Sequence, residues 1–284
     1  MSIDKLQNQI RKLKNPSMVM FSLDKEQVPP AYLDRESDWM KAYCAYVSDL
    51  LAELKDVVPG VRFNFGTFAL MGTEGMDTLS ELLNHSKEQG LYVLLDAPAC
   101  YTPKDAELTA NALFANWRFD GLVLSCYLGG DGIRPFLDQL GQKALFVATR
   151  TGNKSAPEMQ DLLTGSRLVH MAAADMVKRL GESRMGKCGY SQLACLGPAT
   201  SAESLRTLRS KNPAMFLLID GFDYSGANAK NCSLAFDSLG HGAVACAGSS
   251  IVAAWTEETG DPIALAMEAA ERMKKNLTRY IAIL

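Results

Sequence analysis

The stretch Leu91-Tyr-Val-Leu-Leu-Asp-Ala-Pro-Ala-Cys-Tyr101 combines a short apolar run with a carboxylate at its end. The run continues to Asp96, and Pro98 then interrupts it before a new helix begins near Pro103. Continuous apolar runs of this length are typical of strands that are buried on both faces of a parallel sheet. In barrels built from such strands, the functional residues lie where the strands end. Asp96 is therefore the first candidate functional residue.

Short apolar runs alternate with longer amphipathic stretches along the whole chain, which predicts a parallel sheet covered by helices. Eight units of this kind in 284 residues agree with the roughly 250 residues that a (β/α)8 barrel requires. Extra helices are expected between the first two strands and near residues 167–180, and no linker composition marks a second domain. We predict an α/β fold, a single TIM barrel with extra helices over residues 1–284. The predicted strands cover approximately residues 18–23, 61–65, 91–96, 121–125, 144–149, 188–196, 214–219 and 242–246.

Residues that favour helix ends separate these units. Thr200-Ser-Ala-Glu203 has the spacing of a capping box, in which a hydroxyl and a carboxylate each bind a free backbone N–H. Pro103 and Pro157 fit the first turn of a helix, where the missing N–H costs nothing. Gly90 fits the left-handed end of a helix over residues 79–87, and residues 262–279 form the predicted last helix.

Composition excludes several classes of function. A formal charge of -3 without clustered Lys and Arg argues against nucleic-acid binding. No apolar stretch approaches the length of a membrane span, and the N-terminus has no signal core, so we expect a cytoplasmic protein with no membrane partner. The cysteines form no C-x-x-C pair and only three histidines are present, so we predict no metal and no cofactor. Three of the cysteines fall at predicted strand exits, where a thiol either packs or reacts, and packing is favoured because no histidine is placed to act as a base: Cys100, Cys126 and Cys246.

Four segments, in order along the chain, resemble the orotidine 5'-phosphate decarboxylase family in its longer bacterial form. Ser22-Leu-Asp24 is similar to a G-L-D segment, and Leu124-Ser-Cys-Tyr-Leu-Gly-Gly-Asp131 to V-S-P-Y-L-G-x-D. Thr149-Arg-Thr-Gly-Asn153 with Glu158-Met-Gln160 resembles R-T-S-N with its downstream glutamine, and Leu196-Gly-Pro-Ala-Thr200 resembles V-G-A-T. The resemblance implies a lyase of pyrimidine biosynthesis that converts orotidine monophosphate to UMP without a cofactor. It also implies a homodimer whose sites are completed across the interface.

The catalytic motif of the family, D-x-K-x-x-D, is only partly present. The resemblance places Asp96 at the first aspartate, Pro98 at the lysine and Tyr101 at the second aspartate, while Arg62 takes the place of a lysine on the second strand. The family mechanism needs a carboxylate beside the departing CO2 and an ammonium group that protonates the carbanion left behind. Proline has no such proton, and the pKa of arginine stays above about 12. A positioned acid contributes about 10²- to 10⁴-fold to a rate, so this mechanism is not expected to run here. Arg62 and Asp96 are predicted to meet, as catalytic residues or as a structural ion pair.

The resemblance also implies residues that bind the substrate, which we expect to be a nucleotide or another phosphate-like anion. Four of them lie near the exits of the first, second, fourth and fifth strands: Asp24, Asn64, Tyr127 and Thr149. The phosphate would lie between the seventh and eighth strand loops, against residues Ser225, Gly226, Gly248, Ser249 and Ser250, with Ser249 where the family has an arginine. Asp24 and the 248–250 segment are equally explained as turn residues, and Tyr127 as a packing residue. Asp220 and Asp223 would oppose a phosphate if they lay close by.

Three functions remain open from the sequence. The first is decarboxylation of orotidine monophosphate. The second is a repurposed barrel that binds a nucleotide or another small anion without turning it over. The third is a different reaction at the same position, which uses Asp96 with Arg62 or a cysteine.

Overall fold

A computed structural model describes residues 1–284 of the chain. Eight parallel strands close into a barrel in the order β1-β10-β9-β8-β5-β4-β3-β2, and two short strands, β6 and β7, pair in a separate hairpin. The TIM-barrel prediction is confirmed. The strands are β1 Ser17–Phe21, β2 Gly60–Phe63, β3 Tyr92–Asp96, β4 Gly121–Ser125, β5 Ala144–Ala148, β6 Leu163–Thr164, β7 Arg167–Leu168, β8 Leu193–Pro198, β9 Leu217–Asp220 and β10 Ala243–Ala247.

Helices follow the barrel strands and cover the outside of the sheet. The α-helices are α1 Ser2–Leu13, α2 Pro30–Leu33, α3 Trp39–Leu54, α4 Phe65–Ala69, α5 Gly72–Glu88, α6 Pro103–Asn116, α7 Arg134–Asp138, α8 Pro157–Gln160, α9 Val169–Gly181, α10 Ala202–Lys211, α11 Ala229–Ser233, α12 Ser249–Val252 and α13 Pro262–Thr278. Three 3₁₀ turns lie at Lys25–Gln27, Gly129–Gly132 and Ala254–Thr256. The predicted extra helices are present as α2 and α3 before the second strand, and as α9 between the fifth and sixth barrel strands. No helix of the protein is both long enough and apolar enough to cross a membrane.

The barrel strands are apolar on both faces because one face packs against the helices and the other fills the barrel. The residues of β2 are all buried, and so are the first four residues of β3. Such strands carry no alternating pattern, which is why continuous apolar runs predicted them. At the end of β3, Asp96 is only partly buried. The change from apolar to polar residues therefore marks the barrel mouth, the end at which the strands terminate.

Most strand boundaries differ from the prediction by a few residues, and two of these differences have a local cause. The second strand ends at Phe63 and not at residue 65, because the side chain of Asn64 accepts a hydrogen bond from the Gly66 N–H and begins α4. The sixth barrel strand begins at Leu193, later than predicted, because Gly189 adopts a positive φ of 86° in a turn that precedes it. Local turn geometry thus set both boundaries.

The predicted capping box at residues 200–203 is wrong. The N-cap of α10 is one residue later, at Ser201, whose hydroxyl accepts a hydrogen bond from the Ser204 N–H. A capping box is present at α6, where Thr102 and Asp105 bind each other's backbone N–H. Pro103 lies in the first turn of that helix, as predicted. Gly90 follows α5 with a φ of 81°, which confirms its predicted left-handed conformation.

Candidate functional site at the barrel mouth

A buried arginine joins two carboxylates at the mouth of the barrel. Arg62 on β2 donates from Nε to Asp96 Oδ1 at 2.7 Å and from Nη2 to Asp96 Oδ2 at 3.1 Å. Its Nη1 donates to Asp220 Oδ1 at 2.5 Å. Asp96 ends the neighbouring strand β3, whereas Asp220 ends β9, three strands away around the barrel. The predicted pairing of Arg62 with Asp96 is confirmed, and the guanidinium also binds Asp220 across the mouth.

Arg62 and Asp96 each affect the pKa of the other. Burial opposes the charge of Arg62, but the adjacent carboxylates of Asp96 and Asp220 hold the pKa of the guanidinium well above its ordinary value. Burial raises the pKa of Asp96 above 3.8, and Arg62 only partly offsets this effect, while Asp220 adds to it. The guanidinium therefore stays charged and cannot donate a proton. The carboxyl group of Asp96, in contrast, holds its proton more readily than an exposed carboxyl group does.

A fourth charged residue lies in the loop after β9. The carboxylate of Asp223 accepts a hydrogen bond from the Gly248 N–H at 2.6 Å and another from the hydroxyl of Ser250. Gly248 directly follows β10, the last strand of the barrel, and Ser250 lies in the first turn of α12. Asp223 thus connects two adjacent loops of the mouth and occupies polar groups that were predicted to bind a phosphate.

The thiol of Cys246 lies among these charges. Burial raises its pKa to about 12, an effect that Arg62 partly offsets and that Asp220, Asp96 and Asp223 increase. A thiol held in this way carries almost no thiolate at neutral pH, and the thiolate is the reactive form. The environment therefore favours the packing role for this cysteine.

Comparisons with known proteins place the chain in a family. It is 29% identical over 262 residues to an orotidine 5'-phosphate decarboxylase of Rhodopirellula baltica, with 87% of each chain covered. It is 30% identical over 207 residues to one of Clostridium kluyveri, with 72% of this chain and 71% of that protein covered. The chain belongs to the orotidine 5'-phosphate decarboxylase family. No family model matches the chain.

Solved structures support the fold assignment. An orotidine monophosphate decarboxylase structure of Toxoplasma gondii has a TM-score of 0.83 at 19% identity and covers 98% of this chain and 97% of its own. The OMP decarboxylase of Leishmania donovani has a TM-score of 0.75 at 22% identity and covers 98% and 99%. At these identities the likeness concerns the barrel and not the side chains of the mouth.

The residues predicted at the family's lysine and second aspartate positions are Pro98 and Tyr101. Pro98 follows β3 in the loop, where its carbonyl accepts a weak hydrogen bond from the Cys100 thiol at 3.6 Å. The side chain of Tyr101 is 83% exposed. Lys104, the nearest lysine along the chain, pairs with Glu107 on the surface of α6. The only basic group within ion-pair distance of Asp96 is therefore Arg62.

Two of the predicted substrate-binding residues act as helix caps. The side chain of Asp24 accepts a hydrogen bond from the Glu26 N–H and begins a 3₁₀ turn. Asn64 begins α4 in the same way. Both residues lie just beyond the ends of β1 and β2, as predicted, but each side chain already has a local backbone partner. Their role in ligand binding stays a prediction.

The other predicted binding residues are distributed between the core and the surface. The hydroxyl of Thr149 is buried and donates to the Leu196 carbonyl at 3.0 Å. Tyr127 is 77% exposed after β4, and Ser225 and Gly226 are exposed in the loop after β9. Ser249, predicted to lie where the family has an arginine, is exposed in the first turn of α12. The structure thus brings the 248–250 segment near Asp223 but leaves Tyr127 facing outward.

Sequence reasoning missed one member of the cluster. Asp220 was considered only as a residue that would oppose a phosphate, yet it is the second partner of Arg62. A signal was present, because Asp220 directly follows the apolar run of residues 214–219, just as Asp96 ends the run of β3. A buried arginine needs more than one acceptor for its five N–H groups, so a second carboxylate at the mouth was to be expected.

A second buried arginine, on the neighbouring part of the mouth, also went unassigned. Arg150 binds both oxygens of Asp161 at 2.9 Å, and the ring nitrogen Nδ1 of His170 lies 3.2 Å from the same carboxylate. Gln160 binds the hydroxyl of Thr151 at 2.8 Å in the same loop. These contacts hold the segment that resembles R-T-S-N against its downstream glutamine.

Proposed function

We propose that this protein is a repurposed member of its family, which binds a pyrimidine nucleotide or a related small molecule at the barrel mouth without decarboxylating it. The observation that supports this proposal most directly is the Arg62 cluster. The only cation beside Asp96 is a guanidinium that already binds two carboxylates. The relatives named above are orotidine 5'-phosphate decarboxylases, and the proposal retains their location for the ligand but not their chemistry.

The missing step is protonation of a carbanion. In the family mechanism an ammonium group lies opposite the carboxylate, stabilises the negative charge that CO2 leaves behind, and then donates a proton. Pro98 has no proton to donate, and Arg62 keeps its protons because the adjacent carboxylates raise its pKa. Preorganised charges of this kind are commonly the largest contribution to catalysis, so their loss removes more than the proton donor alone.

The mouth nevertheless keeps the features of a ligand site. Asp96 and Asp220 retain about a fifth of their side-chain surface exposed, 19% and 20%, although both bind a buried arginine. Polar groups that remain partly accessible at the end of an apolar barrel are suited to orient a small molecule. The position agrees with the general location of sites in this fold, at the ends of the strands.

The test is a turnover assay with orotidine monophosphate, combined with a direct binding measurement. We expect no UMP production above that of the Asp96→Asn variant when the reaction is followed by chromatography. We also expect saturable heat of binding when uridine or UMP is titrated into the wild-type protein. UMP production that Asp96→Asn abolishes would restore the decarboxylase assignment and refute the proposal.

We further propose that the protein forms a homodimer through the face around the mouth. Three large apolar side chains lie strongly exposed in the loops after β2, β3 and β4, which are consecutive around the barrel: Leu70 at 80%, Tyr101 at 83% and Tyr127 at 77%. Tyrosines exposed together with an aliphatic side chain are typical of protein interfaces. In such a dimer the partner would cover this side of the mouth.

A further inference from the structure

A carboxylate of the protein itself, that of Asp223, occupies two hydrogen-bond donors at the barrel mouth. Asp223 accepts from the Gly248 N–H at 2.6 Å and from the Ser250 hydroxyl, so one side chain engages both groups. Gly248 is itself buried, and a Cβ atom at that position would lie 3.2 Å from the Met20 carbonyl oxygen. The Gly248 N–H is therefore held in place by close packing against β1.

The carboxylates of the mouth outnumber its cations. Asp96 and Asp220 both bind Arg62, and Asp223 follows Asp220 by three residues in the loop after β9, so the four charged side chains lie in one region of the mouth. Three of them are carboxylates, and the guanidinium already donates three hydrogen bonds to two of these. A phosphate dianion in this region would meet like charges, and the juxtaposition of like charges at an interface opposes binding.

We propose that Asp223 serves as a built-in substitute for a ligand's anion, so that the mouth selects unphosphorylated, neutral ligands of the nucleoside class over nucleotides. This inference rests on the proposed function, because it names which form of a pyrimidine ligand the mouth accepts. A phosphate would have to displace Asp223 from both of its donors and leave that carboxylate beside a new dianion.

A nucleoside has the complementary chemistry. Its ribose hydroxyls are hydrogen-bond donors, and carboxylate oxygens are acceptors with more lone pairs than their present partners use. Hydrogen bonds from a hydroxyl to an ionised carboxylate are short and about twice as strong as those between neutral groups. Asp220 and Asp223 would thus contribute directly to binding a sugar, whereas they would repel its phosphorylated form.

The experiment compares uridine with UMP by calorimetric titration of the wild-type protein and of Asp223→Asn. The asparagine keeps the size of the side chain and removes its charge. We expect wild type to bind uridine at least about tenfold more tightly than UMP, and Asp223→Asn to reduce this ratio several-fold, mainly through tighter binding of UMP. Asp223→Ser, which also removes the charge, should act in the same direction and guards against an effect specific to the amide.

Asp56→Asn is the matched control, because Asp56 is an exposed carboxylate in the turn before β2, at the opposite end of the barrel. Its ratio of affinities should equal that of wild type, and all variants are compared by thermal melting to establish that they fold. Equal affinity of wild type for both ligands, or a ratio that Asp223→Asn and Asp223→Ser leave unchanged, overturns this inference and leaves the proposed function standing. No binding of either ligand to wild type overturns the proposed function and this inference with it.

Discussion

Replacing Arg62 by methionine tests how much this arginine contributes to the stability of the folded protein through its contacts with Asp96 and Asp220. The methionine retains most of the apolar stem of the side chain but removes the charge and all three hydrogen bonds to Asp96 and Asp220. Two carboxylates would then face each other across the mouth without a cation. Breaking a buried ion pair by removing one partner typically costs about 3–5 kcal/mol.

The structure places this variant near the lower end of that range. Arg62 is 8% exposed in its side chain, but Asp96 and Asp220 are 19% and 20% exposed and regain some hydration when their partner is lost. We therefore expect a loss of about 3 kcal/mol in the free energy of unfolding at pH 8. In a chain of this size about 1 kcal/mol corresponds to roughly 2 °C, so the melting temperature should fall by about 6 °C.

The loss should also depend on pH. In wild type the pKa of Asp96 is raised above 3.8, so the folded protein binds its proton more tightly than the unfolded chain does. Stability from this group is therefore fully present at low pH and is lost as pH rises through the folded pKa. Without Arg62 the pKa of Asp96 rises further, because the guanidinium that favours the ionised form is gone. The difference in melting temperature between Arg62→Met and wild type should thus be smaller at pH 5 than at pH 8.

Thermal unfolding followed by circular dichroism at both pH values measures the effect. Arg167→Met is the control, because Arg167 pairs with Asp175 at the surface, with side-chain exposures of 55% and 36%, and should lose less than about 1 kcal/mol. Adding Asp220→Asn to Arg62→Met should recover part of the loss, since it removes one of the two unpaired carboxylates. A melting temperature within 1 °C of the surface control, or a loss of equal size at both pH values, would refute the electrostatic reasoning.

Two further predictions concern the thiols and the subunit contact. Four of the seven cysteines are buried, and burial raises the pKa of each to about 12: Cys44, Cys195, Cys232 and Cys246. A thiol reagent at pH 8 should therefore label no more than three cysteines in the native protein and all seven in denaturant. Rapid labelling of a fourth cysteine in the native protein would contradict the packing role. Tyr101→Glu together with Tyr127→Glu should convert the proposed dimer to a monomer in sedimentation analysis, because both side chains are strongly exposed beside the mouth. Tyr280→Glu, on a tyrosine that is 54% exposed after α13, should leave the dimer intact. A wild-type protein that sediments as a monomer, or a double variant that remains dimeric, contradicts the proposed interface.

The alternation of strands and helices could be predicted because it is encoded locally. Buried parallel strands require continuous apolar runs, and such runs are visible without any knowledge of their neighbours. Capping residues and positive-φ glycines also act over a few residues, which explains why Pro103 and Gly90 were placed correctly. The capping box at Thr200 failed because Ser201, the next residue, also has a hydroxyl that can cap a helix and does so here.

The candidate site was predictable only in part. Arg62 and Asp96 could be paired because adjacent strands of a parallel barrel bring their ends together. The functions of Asp24 and Asn64 as caps were not distinguishable from ligand contacts, since the same side-chain oxygens serve both purposes. The exposure of Tyr127 likewise depends on the path of its loop and not on the residue type.

The sequence by itself determined the barrel class, the approximate positions of the strand ends and the presence of a proline, not a lysine, at position 98. Only the tertiary structure decided which charges meet there. Arg62 and Asp220 are 158 residues apart in the chain, and Asp223 is 25 residues from the Gly248 N–H that it binds. Periodicity reports on neighbours within a few residues, whereas closure of the barrel brings distant strand ends to one mouth. That closure turns separate carboxylates into a single coupled cluster around one guanidinium.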